Sequence, residues 1–302
     1  MQYLSNSVLF ILSIAAGASD TATDVSSLWE AKRYGLSETL KISKHWGQAE
    51  TEPLEPEYHL EYLTLRSLGE LPMLIMEAAN VAYTATFYGA NDFKEAQKAK
   101  QPLGRLPVLT FVTEEGKEEK IFQSATIIRY LAEKTMLNGD GNFETQARVD
   151  ALYETVKELP FNAEALKSGR GANRLMHYKD TSNRGNFTDY EKTASTLITF
   201  DTFLQETGTG FLVADYLTYA DLALFQKLSD MSEDDQFPNW HTEVPVPKLK
   251  KFYDMIGGLH EVQRYMKSKR RLPRTERREV DGIADYYYKP GKWSSPEWHA
   301  DL

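Results

Sequence analysis

The chain has 302 residues, no cysteine, and 44 acidic against 35 basic side chains, for a net charge of −9. These numbers exclude disulfides, thiolate metal sites and a cysteine nucleophile, and the acidic balance argues against a general nucleic-acid binder. The length suffices for two ordinary domains with tails, and six histidines without metal-ligand spacing give no reason to expect a metal.

The chain opens on an apolar run, Ser7–Ala18, that ends in the small residues Ala16-Gly17-Ala18. Met1–Ala18 reads as a signal for the secretory pathway or organelle entry and is too short for a stable membrane span. Met1–Asn6 has no Lys or Arg, so a disordered or buried apolar N-terminus is the alternative, with the cytoplasm as compartment. The sequon Asn186-Phe187-Thr188 matters only on the secretory route. Residues 19–57 form a polar extension whose end, with Pro53 and Pro56, reads as a linker.

Regular structure is predicted from Tyr58. Tyr58–Leu65 reads as a strand with Leu60 and Tyr62 on one face and His59 and Glu61 on the other. Leu68–Asn80 reads as a helix with Pro72 in its first turn. Val81–Tyr88 alternates again. Pro102–Gly104 makes a turn, and Pro107 heads an apolar strand, where the missing amide leaves a neighbouring backbone free to bond a ligand. A turn over Glu114–Glu119 returns the chain to Phe122. Ser124 then stands at the N-cap of a helix whose apolar face is Ile127, Ile128 and Leu131. A helix start offers unpaired N–H groups and the positive dipole end, which suit a carboxylate or phosphate. A bare backbone edge beside an anion-binding helix start suggests a site for something short, extended and peptide-like.

From Asn142 the pattern is helical throughout: Glu144–Leu159, Asp189–Glu206, Leu222–Leu228 behind a capping box at Thr218-Tyr219-Ala220-Asp221, and Pro247–Lys267. The fold class is therefore α/β plus all-α. The parts are residues 58–136, a helical domain over 142–271, and an extension over 272–302. The basic run Lys267–Arg278 reads as a solvated face.

The segments YHLEYLTLRSLGE, QPLGRLPVL, FQSATIIRYLA, ARVDALYETVKE and LTYADLAL occur in the order and spacing of cytosolic glutathione transferases. From Tyr58 to Arg271 the chain resembles that family, most of all its sigma-like branch, which includes glutathione-dependent prostaglandin D synthases. The resemblance implies a thioredoxin-like N-terminal domain with a cis proline at Pro107, followed by an α-helical bundle domain. It implies glutathione as co-substrate, an apolar electrophile as second substrate and a homodimer. Tyr62, which by itself is consistent with a core aromatic of the strand, matches the tyrosine whose hydroxyl stabilises the glutathione thiolate. Gln123 and Ser124 match the pair that holds the γ-glutamyl end, and Leu106 before Pro107 matches the residue whose backbone pairs with the cysteinyl part. Lys98 matches a lysine that reaches the glycine carboxylate, and Arg105 sits where the family has Gln or Lys. Glu158 matches an aspartate that reaches the ligand from the neighbouring subunit.

Two departures stand out. Leu68 replaces the second of two family arginines near the sulfur, which leaves Arg66 as the candidate thiolate-assisting charge. The family tryptophan near the glycine end is missing, with Phe93 the nearest aromatic. The expected function is conjugation of glutathione to apolar electrophiles, with peroxidase or isomerase chemistry open to the same thiol. A non-catalytic ligand carrier is the alternative, because this fold hosts both.

Overall fold

The computed structural model describes residues 58–89, 91–158, 189–233, 238–274, 283–289, 292–293 and 297–299. The expected signal over Met1–Ala18, the 19–57 extension and the sequon at Asn186 lie outside them. Strand β1 (Tyr58–Leu63) is followed by α1 (Ser67–Ala78), β2 (Tyr83–Tyr88), the short α2 (Glu95–Lys98) and a 3-10 turn at Pro102–Gly104. Then come β3 (Val108–Val112), β4 (Glu118–Phe122) and α3 (Ser124–Lys134). β1 and β2 are parallel, as a strand–helix–strand unit requires, and β3 and β4 add antiparallel on the other side of β1.

α1 is the centre of the molecule. It contacts α3 within its own domain and two helices of the second domain, Tyr219–Met231 and His260–Met266. Gly69–Ala78 is accordingly buried on every side, as expected for a helix that is apolar nearly all round. The helix begins at Ser67, so Pro72 lies inside it rather than in its first turn.

The second domain contains α4 (Phe143–Glu158), α5 (Asp189–Thr207), α6 (Tyr219–Met231), α7 (Trp240–Glu243), α8 (Pro247–Gly258) and α9 (His260–Met266). Its core is built from Leu197 and Phe200 of α5, Leu222 and Phe225 of α6, and Leu249, Phe252 and Ile256 of α8. The capping box at α6 is present: Asp221 accepts from the Thr218 N–H at 2.8 Å and from its hydroxyl at 2.6 Å. Its other oxygen accepts from the Leu212 N–H at 2.9 Å, and complete burial pushes this carboxyl up to about 6. The helix expected over Pro247–Lys267 is two, separated at Leu259, whose ψ of 132° is extended. Gly257 and Gly258 weaken the helix just before that break. Gly257 also lets α8 approach α6, because a Cβ there would stand 3.1 Å from the Phe225 ring.

Two expectations for the C-terminal region are overturned. The chain is not helical to its end: β5 (Ile283–Lys289) pairs antiparallel with β2, from Tyr83↔Tyr288 to Tyr88↔Ile283. β6 (Lys292–Trp293) and β7 (Glu297–His299) then pair with β5. The sheet order is β4-β3-β1-β2-β5-β6, so the extension covers the β2 edge. Three consecutive tyrosines carry high β-propensity without the alternation that announces a half-buried strand.

The described part of the basic run is not all a solvated face either: Lys267 and Lys269 are exposed, but the arginines turn inward. Arg270 is buried and holds Glu77 of α1 with two hydrogen bonds, at 2.8 and 3.1 Å. Arg271 donates to Glu70 of α1 at 2.7 Å and lies 3.4 Å from Asp230 of α6, and Arg274 reaches Glu233. Burial pushes the Glu70 carboxyl up to about 7, against the pull of Arg271, and also raises Glu77 and Asp230. Buried ions persist only when paired, so these arginines fix where the chain returns to α1 and stitch the two domains together.

Candidate active site

Glu61, Val108 and Phe122 lie side by side where the β1–β3 and β3–β4 ladders end. The next residue of each segment is then Tyr62, Pro107 and Gln123. Two inter-strand steps of about 4.8 Å separate the outer members of this row, a span of roughly 10 Å, the length of an extended tripeptide. The sheet therefore brings Tyr62, the Leu106-Pro107 segment and Gln123-Ser124 to one end. The Leu106–Pro107 peptide bond is cis.

At one end of the row, the Tyr62 ring is buried, with 5% of its surface exposed. Its hydroxyl accepts a hydrogen bond of 3.2 Å from the Leu68 N–H in the first turn of α1. The Leu68 side chain is 54% exposed, so the position that the family fills with arginine presents an apolar group to solvent and a backbone donor to the tyrosine. At the other end, Gln123 has the positive φ of 72° and occupies the N-cap of α3, with Ser124 as first helical residue, so the helix starts one residue earlier than expected. No side chain caps this start. The first N–H groups of any α-helix lack intrahelical partners, so here they are open to an anion at a partly exposed surface.

Between the ends, the approach to Pro107 is tied down by a group that the sequence did not single out. Glu61 accepts from the Tyr88 hydroxyl and from the Gln101 side-chain amide, both at 2.6 Å, and all three residues are buried. Gln101 immediately precedes the Pro102–Gly104 turn, so this carboxylate couples β1 and β2 to the segment carrying Leu106 and Pro107. Alternation placed Glu61 on a polar face, and nothing local distinguishes a solvated glutamate from a buried one. Phe93 packs against Tyr88 at 5.5 Å between ring centroids.

The remaining candidates divide. Lys98 on α2 pairs with Glu95 at 2.8 Å on the surface, and Arg105 is exposed. Arg66 is 3% exposed, and its guanidinium lies 2.9 Å from Asp230 and against Glu233, so its charge is committed to α6. Glu158 is the last residue of α4, and its side chain lies outside the described residues. Among the described residues no group of three acidic or histidine side chains could hold a metal, and no helix is long and apolar enough to cross a membrane.

Residues 57–133 match the family described as "Glutathione S-transferase, N-terminal domain", and residues 174–269 match "Glutathione S-transferase, C-terminal domain". "Probable glutathione S-transferase 9" of Caenorhabditis elegans is 30% identical over 180 residues, which cover 59% of this chain and 82% of that protein. "Glutathione S-transferase 1" of Ascaris suum is 28% identical, over 72% of this chain and 93% of its own. Among solved structures, the pi-class glutathione S-transferase of Onchocerca volvulus superposes with a TM-score of 0.54 at 23% identity, over 72% of this chain and 97% of that one. With the sheet row, the helical domain and these likenesses in agreement, the chain belongs to the glutathione S-transferase family.

Proposed function

We propose that this protein is a glutathione transferase in which glutathione lies along the row from Tyr62 to Ser124. The observation that carries the reading is the alignment at one sheet end of a tyrosine hydroxyl, a proline-headed strand and an uncapped helix start. The γ-glutamyl carboxylate takes the N–H groups and hydroxyl at Ser124, with Gln123 beside it, and the cysteinyl backbone pairs with Leu106 before Pro107. Lys98 and Arg105 stand near the glycine end as cations for its carboxylate. The Tyr62 hydroxyl donates a hydrogen bond to the sulfur, which favours the thiolate over a thiol of pKa about 8.5. The thiol proton leaves to water, the sulfur bonds to an electrophilic carbon, and the leaving group departs with its electron pair; a positioned thiolate carries most of the rate. Arg66 takes no part in this chemistry.

The finer parts belong to the same reading: a sigma-like class, an apolar electrophile, and peroxide reduction or isomerisation by the same thiolate. Leu103 is 71% exposed, and Val112 and Phe122 also face solvent, leaving apolar surface that a second copy would cover, with Glu158 of the partner subunit near the ligand amino group. Light scattering of a dimer is the expected result. A mature chain starting at Ser19 is expected on N-terminal sequencing if Met1–Ala18 is removed. The second reading, a non-catalytic glutathione carrier, is favoured by the apolar side chain at Leu68.

The deciding experiment measures conjugation of glutathione to a chromogenic aryl halide by the wild type and Tyr62→Phe. A fall in kcat of about a hundredfold or more is expected for the variant, the usual scale for one oriented donor. Glutathione binding without turnover by the wild type would establish the carrier reading instead.

A further inference from the structure

We infer that Gly69 is a positioning residue for Tyr62, and that it works by having no side chain. Gly69 lies buried in the first turn of α1, and its own φ is not positive, although Ser67 at the helix start has a φ of 28°. Alanine would be the better helix former there, so the glycine needs a reason. A Cβ at Gly69 would stand 2.4 Å from Cδ1 of Tyr62, 2.9 Å from its Cγ and 3.1 Å from its Cε1. These are ring atoms, not the free end of a flexible chain, so a methyl group and the ring cannot both keep these positions. The tyrosine ring occupies the volume that a methyl group would fill.

That seat decides where the hydroxyl goes. With its ring against Gly69, Tyr62 brings its oxygen within 3.2 Å of the Leu68 N–H. The N–H donates to the hydroxyl oxygen, so the hydroxyl proton points elsewhere. A hydroxyl that accepts from a helix-start N–H is also a stronger donor, because successive hydrogen bonds polarise one another and the helix start is positive. The backbone of α1 thereby supplies polarisation at the position whose family arginine is Leu68 here. The inference rests on Tyr62 being the thiolate-stabilising group.

Gly69→Ala is expected to push the ring off the helix, lower kcat about tenfold, and leave the KM for glutathione within about twofold. The bound thiol, followed by thiolate absorbance against pH, is expected to move toward the free value of about 8.5. In a Tyr62→Phe background the same substitution is expected to change kcat by less than about twofold, because the group it positions is gone. If Gly69→Ala does not fold, amide exchange supplies the test. The Leu68 N–H is expected to be protected in the wild type and to exchange about tenfold faster in Tyr62→Phe, which keeps the ring and removes only the acceptor. An unchanged thiol titration in Gly69→Ala, an equal loss of kcat in both backgrounds, or Leu68 exchange indifferent to Tyr62→Phe would each overturn the inference. A wild type with no turnover, or with turnover indifferent to Tyr62→Phe, would instead remove the catalytic reading on which it rests.

Discussion

Two helix starts in this molecule solve the same problem in opposite ways. At α6, Thr218 and Asp221 consume the local donors from inside: one buried carboxylate accepts from two backbone N–H groups and a hydroxyl. At α3, Gln123 offers no cap, and the first turn ends at a partly exposed surface beside Pro107. A start whose donors are consumed internally is a structural joint. A start left open two strand spacings, about 10 Å, from the strand that carries Tyr62 is a place for a ligand's carboxylate. The first turn of α1 is intermediate, since its Leu68 N–H is used by the side chain that the reading makes catalytic.

The sharpest way to break this contrast is to open α6. Asp221→Ala leaves the Leu212 and Thr218 N–H groups buried without an acceptor, which costs about 3 kcal/mol by the usual penalty for such groups. Urea unfolding should show that loss as a lower midpoint at unchanged slope. Asp221→Asn, which retains an acceptor oxygen, should lose less. A wild-type midpoint in Asp221→Ala would mean that water satisfies these donors and that the two starts differ less than the structure indicates.

What was legible in the sequence follows the same division. The capping box, the strand alternation at Leu60 and Tyr62, and the proline-headed strand are written over a few adjacent residues, so their chemistry can be read there. Arg270 and Arg271 look like any basic helix end until the fold places Glu70 and Glu77 against them, almost two hundred residues earlier in the chain. Tyr286-Tyr287-Tyr288 shows no face of its own because its register is set by β2. Gly69 carried a visible clue, a glycine in a helix with no turn to make, whose explanation lies across the β1–α1 connection. Partners distant in sequence account for these misreadings, whereas the break at Leu259 follows from the glycines just before it.

The first turn of α1 gives a smaller effect with a defined pH dependence. A first-turn glutamate is ordinarily favoured as the anion by the helix dipole. Glu70 is nevertheless pushed up to about 7, because burial outweighs Arg271 and Arg66, with Asp230 adding repulsion. An unfolded glutamate titrates near the ordinary value, so the folded chain binds more protons between about pH 4.5 and 7. This group's stabilising contribution is full below about pH 4.5 and is lost as pH rises through about 7. Thermal melts across that range should show a wild-type slope that is shallower in Glu70→Gln. Asp230 and Glu77, also raised, would leave a residual slope in the variant. Equal slopes would show that Arg271 holds Glu70 ionised throughout.

Closing α3 should give the smallest effect and bears most directly on the ligand. Ser124→Ala removes a hydroxyl that makes no cap, so the fold should keep its stability within about 0.5 kcal/mol, the scale of a neutral surface change. If that hydroxyl and the first-turn N–H groups hold the γ-glutamyl carboxylate, the variant should bind glutathione about fivefold more weakly, near 1 kcal/mol. Its kcat with saturating glutathione should stay within about twofold, because the tyrosine at the other end of the row is untouched. The pattern is then the mirror image of Asp221→Ala, which loses stability and, once folded, keeps its affinity. A Ser124→Ala protein that melts early and binds normally would reverse the assignment, making α3 the structural start and moving the carboxylate elsewhere along the row.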